Sequence, residues 1–244
     1  MRGVTTAATP WLAFLRPFML EDPSQFRSAP PPDLGSERYA DDLNETKNYG
    51  AKDSALRTPE QTATAYFWNA NNINQDVQAF RDVAIQHGMD LVDTARLLAM
   101  GELVAADAAI ACWDSKYHYL FWRPYTAIRN ADLDGNPATE PDPTWQPLFT
   151  PPYPDHPSGH LCLSSSSLHA LQAFFGTDEV SFYVTSLRFP GEQRYFERFS
   201  EAISELIEAR IWAGLHFRTA DLQGAHLGEE VARYTRLHWF QPLP

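Results

Sequence analysis

The sequence predicts an all-α fold entered through an irregular N-terminal arm, on three observations. Every long apolar pattern repeats with a helical period, and none alternates as a strand would. The prolines also gather in two stretches that separate these patterns rather than interrupt them. At 244 residues the chain is long enough to bury a sizeable core. Residues 1–57 are assigned to the arm and 58–244 to a helical body.

Within the arm, Pro10, Pro17 and Pro23 break up the early sequence, and Pro30, Pro31 and Pro32 form a polyproline step. Trp11, Phe14, Phe18 and Phe26 are too apolar for a free tail, so the arm is expected to pack on the body. Met1 serves equally well as a true start or as a point inside a longer protein.

The body opens at Thr58-Pro59-Glu60-Gln61, which offers an N-cap, a proline at the first helical position and a glutamine at N3. A second helix is expected from about Asn74 to Gln86, ending at Gly88. A third starts near Asp90, carries Leu91, Ala95, Leu98, Glu102 and Ala105 on successive turns, and runs toward Trp113 and Lys116 before Pro124. Residues 132–157 form a long proline-rich connection with a turn at Asp134-Gly135-Asn136-Pro137, and structured loops of this length are often functional. Helices are expected again over 158–175, 192–213 and 221–238.

Composition narrows the function classes. A formal charge of −12 argues against a nucleic-acid or anionic-membrane partner, which needs a basic surface. An anion site in such a chain must rest on local clusters of Arg and Lys. Cys112 and Cys162 lie in apolar helical sequence and read as buried free thiols. No apolar run reaches the roughly 18 residues of a membrane span, and Met1–Leu20 lacks the continuous apolar core of a signal peptide. A cytoplasmic location is the default expectation, and the sequence leaves self-association as a homo-oligomer open.

Three separated segments supply what a tetrahedral oxyanion requires. Lys116 and Arg123 stand seven apart in Lys-Tyr-His-Tyr-Leu-Phe-Trp-Arg-Pro, about two helical turns, so both are expected on one helix face roughly 10 Å apart. In Tyr153-Pro154-Asp155-His156-Pro157-Ser158-Gly159-His160, Ser158 caps a helix and Gly159 lets an anion approach the backbone N–H groups. His160 in the first turn can then move a proton. In Arg210-Ile-Trp-Ala-Gly-Leu-His216, Arg210 can clamp an oxyanion bidentately, and His216 follows Gly214, where the helix tightens or ends. Each segment alone has an ordinary explanation: solvated cations, a capped helix, a structural histidine.

Taken together, Lys-x6-Arg-Pro, Pro-Ser-Gly-His and Arg-x5-His in this order resemble the superfamily of type 2 phosphatidic acid phosphatases and vanadium haloperoxidases. The wider wording, Trp122-Arg123-Pro124, Ala127-Ile128-Arg129, Asp142-Pro143-Thr144-Trp145 and Gly214-Leu215-His216-Phe217-Arg218, looks most like the soluble bacterial haloperoxidase-related branch. The resemblance implies a helical bundle of that type, with His216 bonded to vanadium or phosphorus and His160 as the axial acid–base residue. It also implies that Lys116, Arg123, Ser158, Gly159 and Arg210 bind the remaining oxygens. Phosphatases of the superfamily usually carry an Asp four residues after the histidine, and this chain has Ala220 there, with Asp221 one step on. Trp113 and Tyr153 fall where haloperoxidases place aromatics near the halide, with core packing as the competing explanation. The expected activity is halide oxidation by hydrogen peroxide at a His-bound vanadate, for which phosphate competes. The alternatives are an acid phosphatase working through phospho-His216 on a phosphomonoester, and a non-catalytic anion-binding or scaffold protein.

Overall fold

The structure is a computed structural model that describes residues 8–241. Its described helices are α1 (Glu37–Tyr49), α2 (Pro59–Phe67), α3 (Asn72–Gln86), α4 (Leu91–Tyr119), α5 (Pro124–Arg129), α6 (Gly159–Phe175), α7 (Phe199–Trp212) and α8 (Arg218–His238). The architecture is all-α, with one small antiparallel hairpin of β1 (Glu179–Thr185) and β2 (Gln193–Arg198). No helix among the described residues is long and apolar enough to cross a membrane.

The local signals account for most boundaries. The Thr58 hydroxyl accepts a bond from the Gln61 N–H while the Thr58 N–H donates to the Gln61 side-chain oxygen, so the expected capping box forms. Asp90 caps α4 through the Asp93 N–H, and Asn71 caps α3.

α6 lies at the centre, packed most extensively on α8 and then on α4. The seam with α8 is built of small residues: buried Cys162, Ser165 and Ser166 face a helix carrying Gly224 and Gly228. A Cβ on Gly224 would come within 2.5 Å of the Ser158 carbonyl oxygen, so the two backbones touch where α6 begins. That contact holds the N-terminus of α6 against the first turns of α8.

Three expectations are corrected. Residues 1–57 are not irregular throughout, because α1 forms beyond the last of the arm's prolines, with Ser36 accepting from the Tyr39 N–H. Its apolar stripe is thin, with Tyr39, Ala40 and Leu43 buried along an otherwise polar helix. The expected lack of alternation fails at β1, where Val180, Phe182 and Val184 face the core on every second residue. Residues 193–198 are strand rather than helix, paired so that Phe196 meets Phe182 at 5.5 Å between ring centroids. Phe196 is the buried residue of that strand, too little apolar sequence to reveal its period.

The arm does pack on the body at residues 18–20. Their three backbone N–H groups donate to the buried carboxylate of Asp107 on α4, at 2.7, 2.7 and 2.9 Å. Met19 and Leu20 are buried, whereas Trp11, Phe14 and Phe18 remain largely exposed.

Candidate active site

α4 does not continue to Arg123. It ends at Tyr119, and Leu120 adopts a left-handed conformation (φ 52°) that reverses the chain, leaving Arg123 as the N-cap residue of α5 before Pro124. Lys116 and Arg123 therefore do not share one helix face. They still converge, because both reach the loop that precedes α6.

Lys116 is fully buried and donates to the backbone carbonyls of Pro154 (2.9 Å), Asp155 (2.8 Å) and Pro157. An ammonium has three protons, so this loop occupies all of them. Arg123 donates from Nε to the Tyr153 carbonyl and from Nη1 to the Leu215 carbonyl, both at 2.7 Å, and Nη1 lies 3.0 Å from His216 Nε2. The loop 153–157 is thus held by two cations from the α4–α5 corner.

Ser158 is the N-cap residue of α6, as expected, but its hydroxyl makes no capping bond. Gly159 begins the helix, and a Cβ there would meet the Trp113 ring at 3.1 Å and the Lys116 side chain at 3.5 Å. The side chain missing from Gly159 is what leaves room beside the helix N-terminus, where unpaired N–H groups and the helix dipole favour an anion.

The third segment enters from α7. Arg210 lies in its last turn, and Gly214 (φ 70°) turns the chain back beneath it. A Cβ on Gly214 would lie 2.5 Å from the Gly50 carbonyl oxygen and 2.7 Å from Pro147, so only glycine fits. This reversal delivers His216 into the interior, with its ring against Arg123 and Asp155.

The buried polar atoms reveal the character of the site. Arg123 Nη2, Ser158 Oγ, His160 Nε2, and Arg210 Nε and Nη1 are all buried with no hydrogen-bond partner among the described residues. Orphaned groups of this kind cost roughly 1–3 kcal/mol each, more when charged, and are rare in isolation. Five of them lie on residues that the sequence assigns to one oxyanion and form a candidate cradle, with the carboxylate oxygens of Asp155 and Asp221 also unpartnered. The donor set fits vanadate or phosphate: two guanidinium groups, a hydroxyl and a helix N-terminus are the groups that offset a multiply charged tetrahedral anion.

Burial dominates the electrostatics. It lowers Lys116 to about 8, with Arg123 adding to the depression, and lowers Arg210 to about 10 against the pull of Asp221. His216 is held neutral well below its ordinary value by burial and then by Arg123, Lys116 and Arg210, and His160 by burial and Arg210. Burial pushes the Asp155 carboxyl up to about 7 against Arg123 and Lys116, and Asp221 well above the usual range against Ser158 and Arg210. Asp155 and Asp221 offset the cations in part. A bound oxyanion would add counter-charge and raise all three cations further.

Trp113 and Tyr153 pack at 5.4 Å between centroids. Lys116 Nζ lies 5.3 Å from the Tyr153 centroid and Arg123 Cζ 4.8 Å, so that ring is shared by two cations. Asp155 was not singled out by sequence reasoning, although its Oδ1 is 2.7 Å from His216 Nδ1 and 3.6 Å from Arg123 Nη1. The contact with His216 is a close approach rather than an aligned hydrogen bond, since neither Asp155 oxygen has an aligned donor. An acidic residue before Pro-Ser-Gly-His carries no periodic signal that would have set it apart.

Comparison with known proteins agrees with this geometry. Residues 96–241 match the family of the VCPO second helical-bundle domain. The vanadium chloroperoxidase of Curvularia inaequalis is 28% identical over 152 residues, covering 51% of this chain and 24% of that protein. The first bacterial vanadium-dependent iodoperoxidase structure superposes with a TM-score of 0.82 at 27% identity, covering 95% of this chain and 57% of that one. The holo-type bacterial vanadium-dependent chloroperoxidase shares the fold, with a TM-score of 0.75 at 20% identity and coverage of 94% and 54%. The chain spans about a quarter of the curated relative and somewhat more than half of the structural ones. It belongs to the family of the VCPO second helical-bundle domain.

Proposed function

We propose that this chain is a haloperoxidase-like enzyme that holds vanadate at the cradle and uses hydrogen peroxide to oxidise halide. The observation that carries the reading is five orphaned buried polar atoms on residues of three segments, of which Arg123, Arg210 and His160 lie near enough to act electrostatically on His216. Its relatives' names, a vanadium chloroperoxidase and a vanadium-dependent iodoperoxidase, support the choice of oxyanion.

In this reading Arg123, Arg210, the Ser158 hydroxyl and the Gly159 N–H would hold the anion's oxygens, and His216 would offer its Nε2 lone pair to the metal. Vanadate, when bound, supplies an electrophilic centre that activates peroxide toward halide. His160, neutral and buried beside Arg210, takes or returns the proton of an oxygen at the opposite end of the site. Lys116 must surrender one of its three backbone carbonyls to reach the anion or peroxide, with the other two still held. Trp113 and Tyr153 line the approach and fix the two cations on which they lie.

A phosphomonoesterase remains the second reading, favoured by the carboxylate of Asp155 beside His216. An orienting carboxylate is what a nucleophilic histidine requires, and Ala220 does not provide one. The deciding experiment assays purified protein for halide oxidation with peroxide across a vanadate titration, and for phosphate release from a generic monoester. Vanadate-dependent oxidation supports the proposal. Hydrolysis that vanadate inhibits and His216→Ala abolishes, with no oxidation at any vanadate level, refutes it in favour of the phosphatase.

A further inference from the structure

We propose that Asp155 is the positioning residue of His216, holding its imidazole as the Nδ1–H tautomer so that Nε2 presents a lone pair to the oxyanion. The inference rests on the reading that His216 is the nitrogen that meets the anion. It goes beyond that reading by naming the group that makes the nitrogen competent.

The argument starts from what each neighbour of the ring can do. The Arg123 guanidinium has donors only, and its Nη1 lies 3.0 Å from His216 Nε2 and 3.4 Å from Nδ1, so it can reach either nitrogen and does not fix the tautomer by itself. The nearer contact favours Nε2 as the acceptor. In a neutral imidazole the proton is then on Nδ1, and Nδ1 lies 2.7 Å from Asp155 Oδ1. That contact is a close approach short of alignment, and the Nδ1–H tautomer is the one that a small rotation of the ring or the carboxylate turns into a hydrogen bond. Among the described residues Asp155 is the only carboxylate paired with His216.

The surroundings exclude a surface ion pair. Asp155 is fully buried and His216 nearly so, and the backbone of Asp155 is anchored twice, by its carbonyl to Lys116 and by its N–H to the Phe121 carbonyl at 3.0 Å. A carboxylate fixed this way sets ring orientation as well as tautomer. Asp221, the acid nearest the position where phosphatases carry one, faces Ser158 and Arg210 instead. The orienting carboxylate thus comes from the loop before α6 rather than from the helix after His216.

The test uses the full chain labelled with ¹⁵N-histidine, with the His216 signals assigned by their loss in His216→Gln. Long-range ¹H–¹⁵N spectra distinguish the tautomers without vanadate or turnover. The expected result is Nδ1–H in the wild type, with a strongly deshielded Nδ1 proton that moves upfield in Asp155→Asn, where the acceptor is neutral. In Asp155→Ala the ring should populate the Nε2–H form, and vanadate affinity should fall about 10–100-fold, partly recovered in Asp155→Asn. If Asp155→Ala does not fold, the wild-type and Asp155→Asn spectra decide alone. An Nε2–H wild type, or an Nδ1 proton unmoved by Asp155→Asn, overturns the proposal. A tautomer change in a protein that oxidises no halide upholds this inference while removing the haloperoxidase reading.

Discussion

Replacing Arg210 by methionine separates what the guanidinium does for binding from what it does to the fold. Arg210 is 5% exposed, and two of its nitrogens have no partner among the described residues. Burial lowers it to about 10, on the order of 3 kcal/mol against the charged form at about 1.4 kcal/mol per pKa unit. Methionine keeps the apolar stem without the charge. Asp221, already driven toward its neutral form by burial, loses little when the neighbouring cation is removed. Without an oxyanion the variant should therefore be more stable by about 1–3 kcal/mol, the range found when buried charges give way to well-packed apolar groups. In a chain of this length that raises the melting temperature by about 2–4 °C per kcal/mol. With phosphate the order should reverse: an anion at a hundred times its Kd stabilises the wild type by about 2.7 kcal/mol, and the variant should gain almost nothing. Loss of one partner of a buried charge-assisted pair weakens anion binding by about 2–5 kcal/mol. Paired thermal melts with and without phosphate, backed by calorimetric titration, read both effects. A variant that melts below the wild type without anion, or binds phosphate equally well, would refute the picture of an uncompensated guanidinium awaiting its ligand.

Three further outcomes follow from the same physics. Oxyanion affinity should fall as pH rises past about 8, because Lys116 must be protonated to attract the anion and burial lowers it to about 8; titration calorimetry across pH 6–9 checks this. Asp76, driven up to about 7 by burial against bonds from Ser164 and Ser167, binds its proton more tightly folded than unfolded. Its contribution to stability is full below about 4 and is lost as pH rises toward 7, so melting temperatures of Asp76→Asn should show a shallower decline over that window than the wild type. Gly224→Ala should destabilise by about 1–3 kcal/mol in chemical denaturation, since its Cβ would meet the Ser158 carbonyl oxygen at 2.5 Å and Leu161 at 3.0 Å.

The three segments proposed to hold the anion were legible because each joins a rare residue type to a local device: a helix start at Ser158, a chain reversal at Gly214, and cations set among aromatics around Arg123. Helix starts with side-chain caps, at Thr58 and Asp90, were legible for the same reason. What escaped depends on the path of the chain in space. The left-handed turn at Leu120 separates Lys116 from Arg123 at a residue with no glycine or asparagine to announce it. The approach of Asp155 to His216 requires the loop before α6 and the reversal after α7 to meet, which no local pattern encodes. α1 and the β1–β2 hairpin were missed because their apolar stripes are only a few residues long, where helical and extended periods look alike.

The arm has a consequence for how this site changes over evolutionary time. Thr9 accepts a hydrogen bond from the Trp113 indole at 3.0 Å, Ala8 donates to the Pro152 carbonyl at 3.1 Å and accepts from the Tyr117 hydroxyl at 3.0 Å. The other side of that indole bears on the Gly159 cradle. A substitution in the arm thus bears on the packing beside Gly159 through one ring, without touching a charged residue. That packing can drift through changes near Thr9 while the residues proposed to hold the oxyanion stay fixed. Chimaeras that exchange residues 8–20 between relatives would sample that drift directly.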